Sequence, residues 1–244
     1  MRAAVLAALC LVAVAPGARA QSTGRVRISV NAADQVTSRT LTQSFSVPIN
    51  VEAAPISTSI DLATAPVFDV GGSYRFLGRL AAGVSVSSLS RNVDGRLDGN
   101  IPHPLFFNLP RSISGDLSSL RHEETGVHVY AMYLVPVGTK LAIGVFAGPS
   151  HFSVKQELVT DVGYTASYPY DTANFTGAPT QTVSTTVNGY NAGADVSWRF
   201  SRALALGGLI RFTGASTTLS VAKGNNVDDE IGGLQTGAGI RVLF

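Results

Sequence analysis

The chain has 244 residues, of which 18 are basic and 16 acidic, and it contains one cysteine. Residues 1–20 combine a basic Arg2, an apolar run and an Ala-Arg-Ala cleavage site, so we interpret them as a cleaved signal peptide. Cleavage removes Arg2 and Arg19, and the remaining 16 basic residues equal the 16 acidic ones. This balance gives no support to a nucleic-acid partner. Cleavage also removes Cys10, so a disulfide framework is excluded.

The remaining sequence alternates between apolar and polar side chains, a period of two that is typical of β-strands. No stretch after residue 20 has the 18 consecutive apolar residues of a membrane-spanning helix. The clearest alternation lies at 25–35, 67–76, 125–135, 190–200 and 234–244. Short turns follow 67–76, 125–135 and 190–200, whereas long polar segments lie at 91–121, 159–187 and 222–231. Tight turns at one end and long loops at the other are the pattern of outer-membrane β-barrels.

Residues 37–61 leave the number of strands open. One long extension of the neighbouring strands gives eight strands, and an additional hairpin gives ten. Both are even numbers, as closure of this type of barrel prefers. We expect an all-β protein with one domain at 21–244, an eight-stranded antiparallel transmembrane β-barrel, with ten strands as the alternative.

The two faces of these strands predict which side chains meet lipid and which line the lumen. The apolar face ends in bulky residues, which predict an aromatic girdle at the turn side. These residues are Tyr74 and Phe76, Tyr133 and Val135, Trp198 and Phe200, and Val242 and Phe244. The polar face predicts a lumen network. Its members are Asp69, Arg75, Glu124, His128, Asp195, Arg199, Arg211 and Arg241, with Arg27 as a further candidate.

The predicted size of the barrel decides between two interpretations of these lumen charges. They form either a narrow conduit or a salt-bridged plug. The interior of an eight-stranded barrel is only wide enough for side chains, and an unpaired buried charge is costly. We therefore favour the plug.

The last residues carry a resemblance to a known class of proteins. GAGIRVLF (237–244) resembles the C-terminal assembly signal of bacterial outer-membrane barrels at Gly239, Val242 and Phe244, with Gly237 where a polar residue is usual. Over 25–244 the chain resembles the small outer-membrane barrels of the OmpA-transmembrane, OmpX and OmpW type. The resemblance implies a porin-like monomer in the Gram-negative outer membrane. It also implies contacts with lipid and lipopolysaccharide, and insertion by the barrel-assembly machinery.

Two groups of residues have side chains that occur in metal sites or catalytic sites, and we expect neither group to bind a metal or to catalyse a reaction. His122, Glu124 and His128 share one strand face, but positions 122 and 128 lie about 20 Å apart at roughly 3.3 Å per residue, too far for one metal ion. Ser150 and His151 are adjacent, so they point to opposite faces of a strand. We expect no enzyme, no metal and no cofactor.

Two further segments bear on the outer half of the molecule. We interpret Gly148-Pro149-Ser150 as a β-bulge that returns Phe152 and Val154 to the lipid face. The segment 100–112 is unusually apolar, through Leu105, Phe106, Phe107 and Leu109. These four side chains either pack into the barrel mouth or neighbouring loops, which we favour, or contact a hydrophobic ligand, lipopolysaccharide or a partner surface.

The function expected from these features is a structural or surface-interaction role, carried by long extracellular loops above a filled lumen. A Tyr- and Thr-rich segment at 160–187 suits such surface recognition. The alternative is a narrow transporter or channel for small or hydrophobic compounds, and an outer-membrane enzyme is the least favoured of the three.

Overall fold

The structure is a computed structural model that describes residues 25–221 and 225–244, so the predicted signal peptide at 1–20 lies outside the described residues. Every regular element of the described part is a β-strand, and no helix there is long and apolar enough to cross a membrane. The strands are β1 Val26–Gln35, β2 Arg39–Ile49, β3 Glu52–Leu62, β4 Ala65–Leu77, β5 Leu80–Pro102, β6 Pro110–Val137, β7 Leu141–Val159, β8 Gly163–Thr165, β9 Asn174–Gly177, β10 Thr180–Arg199, β11 Leu204–Val221 and β12 Asn225–Leu243.

Eight strands close into an antiparallel ring in the order β1, β12, β11, β10, β7, β6, β5 and β4, with β4 pairing with β1. The two ends of the chain complete the ring, since β1 pairs with β12 from Arg27 opposite Leu243 to Gln35 opposite Gln235. A closed ring leaves no strand edge inside a membrane, where backbone groups find no water. The prediction of an eight-stranded barrel is confirmed.

Residues 37–61 form a hairpin of β2 and β3, yet this hairpin does not enlarge the ring. The pairing of β4 with β5 ends at Leu89, and β5 continues for a further thirteen residues to Pro102. The edge that β4 leaves open is paired instead by β3, whose Ile56 to Ile60 lie opposite Gly99 to Gly95. The hairpin therefore covers an unpaired strand edge, which is a site of unwanted association in β-proteins.

The short connections are confirmed, and the prediction that the other end consists of long loops is wrong. The turns after β4 and β6 contain Gly78 and Gly138 at φ of 51° and 70°, a conformation that glycine adopts without steric cost. At the other end, most of the segment 91–121 belongs to β5 and β6. In the segment 159–187, the part from 180 onward belongs to β10 and the short strands β8 and β9 lie in the remaining loop, while 225–231 belongs to β12.

The apolar face of the strands changes from outward to inward along their length, which divides the molecule into two regions. In the region that we call the belt, the outward side chains are apolar and exposed, as lipid contact requires. The belt comprises 26–32, 68–76, 80–86, 127–135, 143–147, 190–198, 204–212 and 234–244. These segments have 5 to 11 residues and four of them have 9, which is close to the length of a tilted membrane-spanning strand.

Beyond the belt, in the region that we call the stalk, apolar side chains point inward instead. They form one buried cluster of large aliphatic and aromatic residues, because strands surrounded by water must turn their apolar face to the inside. The cluster includes Leu41, Phe45, Ile56, Ile60, Leu97, Ile101, Ile113, Leu117, Leu158 and Leu219.

The prediction of a bulge at 148–150 is wrong, because it assumed that the apolar side chains beyond this segment face lipid. The pairing of β7 with β10 runs without a shift through this segment, from Ala147 opposite Ala192 to His151 opposite Asn188. Phe152 and Val154 are buried inside the molecule. No shift is needed there, because at this height the inward face is the apolar one.

Candidate functional site in the barrel lumen

The structure places six of the eight predicted lumen residues inside the barrel with buried side chains: Asp69, Glu124, His128, Asp195, Arg211 and Arg241. The other two, Arg75 and Arg199, are half-buried and line the open mouth at the turn side. The buried charges are arranged at three heights, which we call the turn-side, central and junction layers.

The turn-side layer consists of one carboxylate between two guanidinium groups. Asp195 Oδ2 accepts hydrogen bonds from Arg241 Nη2 at 2.6 Å and Nε at 3.0 Å, and its Oδ1 lies 2.5 Å from Arg27 Nη2. The Arg241 side chain is fully buried. Buried charges persist only when they are paired and hydrogen-bonded, and this layer keeps a net positive charge.

The central layer pairs one carboxylate with one guanidinium and is electrically balanced. Arg211 Nη1 lies 2.8 Å from Asp69 Oδ2 and also donates to Ser85 Oγ at 3.0 Å. Its Nε and Nη2 donate to Gln235 Oε1 at 2.9 and 2.7 Å. Asn31 Nδ2 donates to the second Asp69 oxygen at 2.8 Å. The carboxylate thus has a partner on both oxygens.

The junction layer separates the polar lumen from the apolar core of the stalk. Arg39, from the start of β2, reaches across the opening and contacts Glu124 Oε1 at 2.8 Å and Asp229 Oδ1 at 3.2 Å. Its Nη1 also donates to the Gly232 carbonyl at 3.2 Å. His122 Nε2 lies 2.9 Å from Glu124 Oε1. One arginine of β2 therefore joins two strands of the ring, β6 and β12, across the lumen.

Burial and charge act in opposite directions on the two carboxyl groups of this layer. Burial alone would raise the pKa of Glu124, but the hydrogen bond with His122 and the charge of Arg39 outweigh it and hold that pKa below its usual value. Burial raises the pKa of Asp229, and the charge of Arg39 offsets only part of that rise. Burial lowers the pKa of Arg91, which lies within the electrostatic reach of both.

Sequence reasoning missed Arg39 and Asp229, which complete this layer. Arg39 lies outside the segments with clear alternation, and its partner Asp229 is 190 positions away along the chain. The available signal was the isolated charge of Arg39 within the uncharged segment 35–51. A lone cation in a strand pattern indicates a buried partner or a surface position, and the sequence does not distinguish the two.

Apolar and aromatic side chains fill the lumen around the turn-side layer. Met132, Phe146 and Leu209 pack together with Ala81, and Tyr130 lies against them. The rings of Tyr130 and Phe146 have centroids 5.1 Å apart. These side chains occupy the space between opposite walls, as expected for a barrel of eight strands.

The residues considered for metal binding and catalysis have other partners. His128 bonds through its two ring nitrogens to Ser87 Oγ and Ser150 Oγ, both at 2.8 Å. Ser150 is buried, whereas His151 is exposed and bonds to Asn188 Oδ1. The described residues contain no group of three His, Cys, Asp or Glu placed to hold a metal ion.

The far end of the stalk carries an exposed apolar surface, which we call the tip. The favoured expectation that residues 105–109 pack inward is wrong, since Phe106 is 61% exposed and Phe107 is 74% exposed. Val51, in the β2–β3 turn, is 95% exposed. The tip consists of Val51, Leu105, Phe106, Phe107 and Leu109, all with exposed side chains.

Polar contacts hold the tip in place from beneath. The Asn108 backbone N–H donates to Glu52 Oε1 at 2.9 Å, and Asn50 Nδ2 donates to the Pro102 carbonyl at 3.0 Å, which ties the two hairpin ends together. The buried Arg111 donates to the carbonyls of Pro102 at 2.8 Å and Tyr170 at 3.1 Å. The apolar side chains are therefore displayed on an anchored loop.

Comparisons with known proteins identify the architecture. The sequence matches no described protein family and no curated protein. The structure is similar to the outer membrane protein OprG from Pseudomonas aeruginosa, with a TM-score of 0.51 and 8% identity over 91% of this chain and 96% of OprG. Two other similar structures are the Escherichia coli outer membrane protease OmpT (TM-score 0.48, 7% identity, 93% and 99% covered) and Neisserial surface protein A (0.46, 13%, 92% and 100%). The likeness to OprG confirms the predicted fold, that of a bacterial outer-membrane β-barrel.

Proposed function

We propose that this protein is a monomeric outer-membrane barrel with a closed lumen, which holds a β-stalk above the membrane for contact with an apolar partner surface. The observation that carries the proposal is that the apolar face of the long ring strands points outward in the belt and inward in the stalk. β6 alone has 28 residues, and its belt segment 127–135 is only the last third. A barrel that served only as a conduit would gain nothing from a second, water-exposed region with its own apolar core.

The charge layers support a closed lumen. An ion crossing the barrel would have to pass the Asp195, Arg211 and Glu124 contacts in turn, and each contact joins side chains of different strands. Breaking a buried ion pair costs about 3–5 kcal/mol. We assign no catalytic step to these groups, because their hydrogen-bonding atoms are engaged with one another.

The tip supports a role in surface contact. Exposed apolar patches rimmed by polar residues mark interaction sites in soluble and membrane proteins. Phe106 and Phe107 supply the largest apolar area of the tip, and the polar contacts of Asn108 and Arg111 beneath them limit the ordering cost of binding. The chemistry that fits the tip is an apolar surface, of a protein or a lipid, brought to the cell from outside.

Single-cysteine labelling tests whether the tip is displayed on the cell surface. The chain after residue 20 contains no cysteine, so Phe107→Cys and Thr139→Cys each provide one exposed reactive site at opposite ends of the barrel. We expect a membrane-impermeant maleimide to label Phe107→Cys in intact cells and Thr139→Cys only after the outer membrane is opened. Labelling of both variants in intact cells, or of neither, would refute the proposed orientation.

Adhesion to hydrocarbon droplets tests the apolar contact itself. Cells producing the wild-type protein should adhere to hexadecane droplets, and the Phe106→Ser, Phe107→Ser double variant should lose at least about half of that adhesion, since two large aromatic side chains leave the contact. Ser112→Ala, Ser114→Ala is the matched control on the side of the same hairpin. Equal adhesion of wild type and tip variant at equal surface level would rule out the contact role.

The second candidate function, transport of small or hydrophobic compounds, has one observation in its favour. A cavity of about 500 Å³ lies in the wall where β10, β11 and β12 leave the belt, next to Tyr190, Phe212 and the start of β2. Planar-bilayer recording separates the two functions. We expect no steady conductance, and a stable open channel would establish the conduit instead.

The location and partners are part of the same proposal. The apolar belt fits the hydrocarbon layer, and the closed ring supports a monomer because it leaves no strand edge within the belt for a second copy. Lipopolysaccharide is the proposed outer-leaflet contact, through the exposed cations Arg121 and Lys155 directly beyond the belt. Both cations lie beside Glu123, which moderates their charge.

We assign the ending with Gly239, Val242 and Phe244 to recognition by the barrel-assembly machinery. Phe244 is exposed on the belt, and its backbone N–H donates to Val26 in the closing strand pair. Deletion of Phe244 should lower the level of protein in the outer membrane while leaving its synthesis unchanged. An unchanged level of heat-modifiable protein in the membrane fraction would dispose of this assignment.

A further inference from the structure

The turn-side mouth of the barrel is a cavity of about 190 Å³ between the β4–β5, β6–β7 and β10–β11 turns. Its walls come from the inward faces of the ring, including Ala81, Ser197 and Ala205. Six cationic side chains line it: Arg25, Arg27, Arg75, Arg79, Lys140 and Arg199. No Asp or Glu side chain of the described residues is among the lining groups.

The carboxylate closest to this mouth does not balance its charge. Asp195 lies deeper in the lumen and already contacts two cations, Arg27 and Arg241. Its one negative charge stands against six cationic groups, those of Arg25, Arg27, Arg79, Lys140, Arg199 and Arg241.

The shape of the mouth strengthens the field of these cations. A cleft lined by one sign of charge between low-dielectric walls focuses the potential and concentrates ions of the opposite sign. The tight turns hold part of the cationic lining in position, since Arg199 Nη2 donates to the Thr139 carbonyl at 2.7 Å. The cations are thus brought together by the fold itself, and an anion between them relieves their mutual repulsion.

We propose that the mouth binds an oxyanion of the phosphate class, either free in the aqueous phase or carried by a phospholipid headgroup. Guanidinium groups donate paired N–H bonds that match phosphate oxygens, and lysine adds a mobile point charge. The mouth faces away from the tip, so this site does not depend on the proposed contact function.

Phosphate titration of the folded protein tests the site. The mature chain in zwitterionic micelles should bind inorganic phosphate saturably, measured by calorimetry at low ionic strength, and added salt should weaken binding. Arg79→Gln, Lys140→Gln removes two exposed cations and keeps their backbone carbonyls, which accept hydrogen bonds from the N–H groups of Leu134 and Arg199. We expect at least about tenfold weaker binding, because charge-assisted hydrogen bonds are lost.

The matched control makes the same change of charge on the stalk. Arg96→Gln removes one exposed arginine there, as Arg79→Gln alone does at the mouth, and it should leave phosphate affinity unchanged. Heat-modifiable mobility verifies that each variant is folded. Should the mouth double variant not fold, Arg79→Gln alone is compared with Arg96→Gln, with an expected loss of about threefold at the mouth only.

Lipid nanodiscs distinguish the two sources of phosphate. If the anion is a headgroup, the protein should retain phosphatidylglycerol over phosphatidylcholine, and the mouth variant should lose that preference. If the anion is free, phosphate affinity should be equal in discs of either lipid. The absence of both saturable phosphate binding and phosphatidylglycerol retention would overturn the proposal, as would equal losses in the mouth and stalk variants.

Discussion

The belt and the stalk are built from the same strands, yet they follow opposite rules. In the belt Val129 of β6 points outward and is exposed, while Met132 points inward. In the stalk Ile113 and Leu117 of the same strand point inward, and Ser114 points outward. The difference teaches that the surroundings decide which face is apolar: hydrocarbon outside the belt, and water outside the stalk.

The interiors differ in the same way. The belt encloses ion pairs, which resist removal of one partner because the other is left buried and uncompensated. The stalk encloses aliphatic side chains, which respond mainly to lost volume. Substitutions in each region should therefore show different costs and different consequences for barrel closure.

The largest effect is expected from removing the carboxylate of the turn-side layer. Asp195→Leu leaves Arg27 and Arg241 without their shared partner and should lower the free energy of unfolding by about 3–5 kcal/mol. Urea unfolding of the barrel in lipid vesicles measures this loss. Asp98→Leu, at an exposed stalk position, should change stability by less than about 1 kcal/mol; similar losses at both positions would contradict the role of the layer.

A cavity in the stalk core should lower the stability of the stalk without affecting the belt. Leu97 is fully buried, and Leu97→Ala should lower stability by about 2–5 kcal/mol through lost burial and the space left behind. The belt does not contact this position, so the heat-modifiable mobility of the barrel should persist while the stalk becomes sensitive to protease. Loss of barrel closure in this variant would mean that the two regions are not separate in stability.

The outward faces provide a matched test on one strand. Val129→Arg puts a charge into the lipid face and should cost about 2–4 kcal/mol. Ser114→Arg makes the same change on the water face of β6 and should cost less than about 0.5 kcal/mol. Vesicle unfolding compares the two, and equal costs would remove the distinction between belt and stalk.

The smallest effect is expected from lowering the pH, which protonates the carboxylates of the junction layer. The pKa of Glu124 is lowered from 4.5 in the folded protein, so its contribution is present above pH 4.5 and is lost as the pH falls through the folded pKa. The contribution of Asp229 to stability has the opposite dependence on pH, because the pKa of Asp229 is raised in the folded protein. Glu124→Gln should therefore reduce the loss of stability between pH 6 and pH 3. An equal or steeper loss in this variant would show that Glu124 does not stabilise the junction.

The belt was predictable from sequence because apolar and polar side chains alternate along its strands. Phe68, Val70, Tyr74 and Phe76 share one face with little interruption, and Gly78 marks the turn that follows. Lipid contact demands this continuity, so the strand positions and the short turns are visible in a single sequence.

The stalk escaped prediction because glycine and a bulge obscure its alternation. On β5 the inward residues Val93, Leu97 and Ile101 are separated by Gly95 and Gly99. Large apolar side chains therefore recur at every fourth position instead of every second. Gly99 makes room for Ile56 of the hairpin, since a Cβ there would lie 2.5 Å from the Ile56 side chain. On β6 the register shifts opposite Val93 and Gly95, and the alternation changes phase.

The junction layer required information that a linear sequence does not hold. Arg39 meets Glu124 and Asp229 only because the hairpin folds back over the ring. By contrast, Asp195 and Arg241 lie on strands whose alternation identifies the inward face, so their places in the lumen could be anticipated. Pairing between distant strands is decided by closure of the barrel.

Spin-label accessibility at two outward positions of β6 tests the central distinction most directly. A nitroxide at Val129→Cys should collide with oxygen dissolved in lipid, and one at Ser114→Cys should collide with a water-soluble nickel complex, each in the folded protein in vesicles. Opposite preferences at the two positions are the predicted result. The same preference at both positions would contradict the account of one ring of strands that passes from lipid into water.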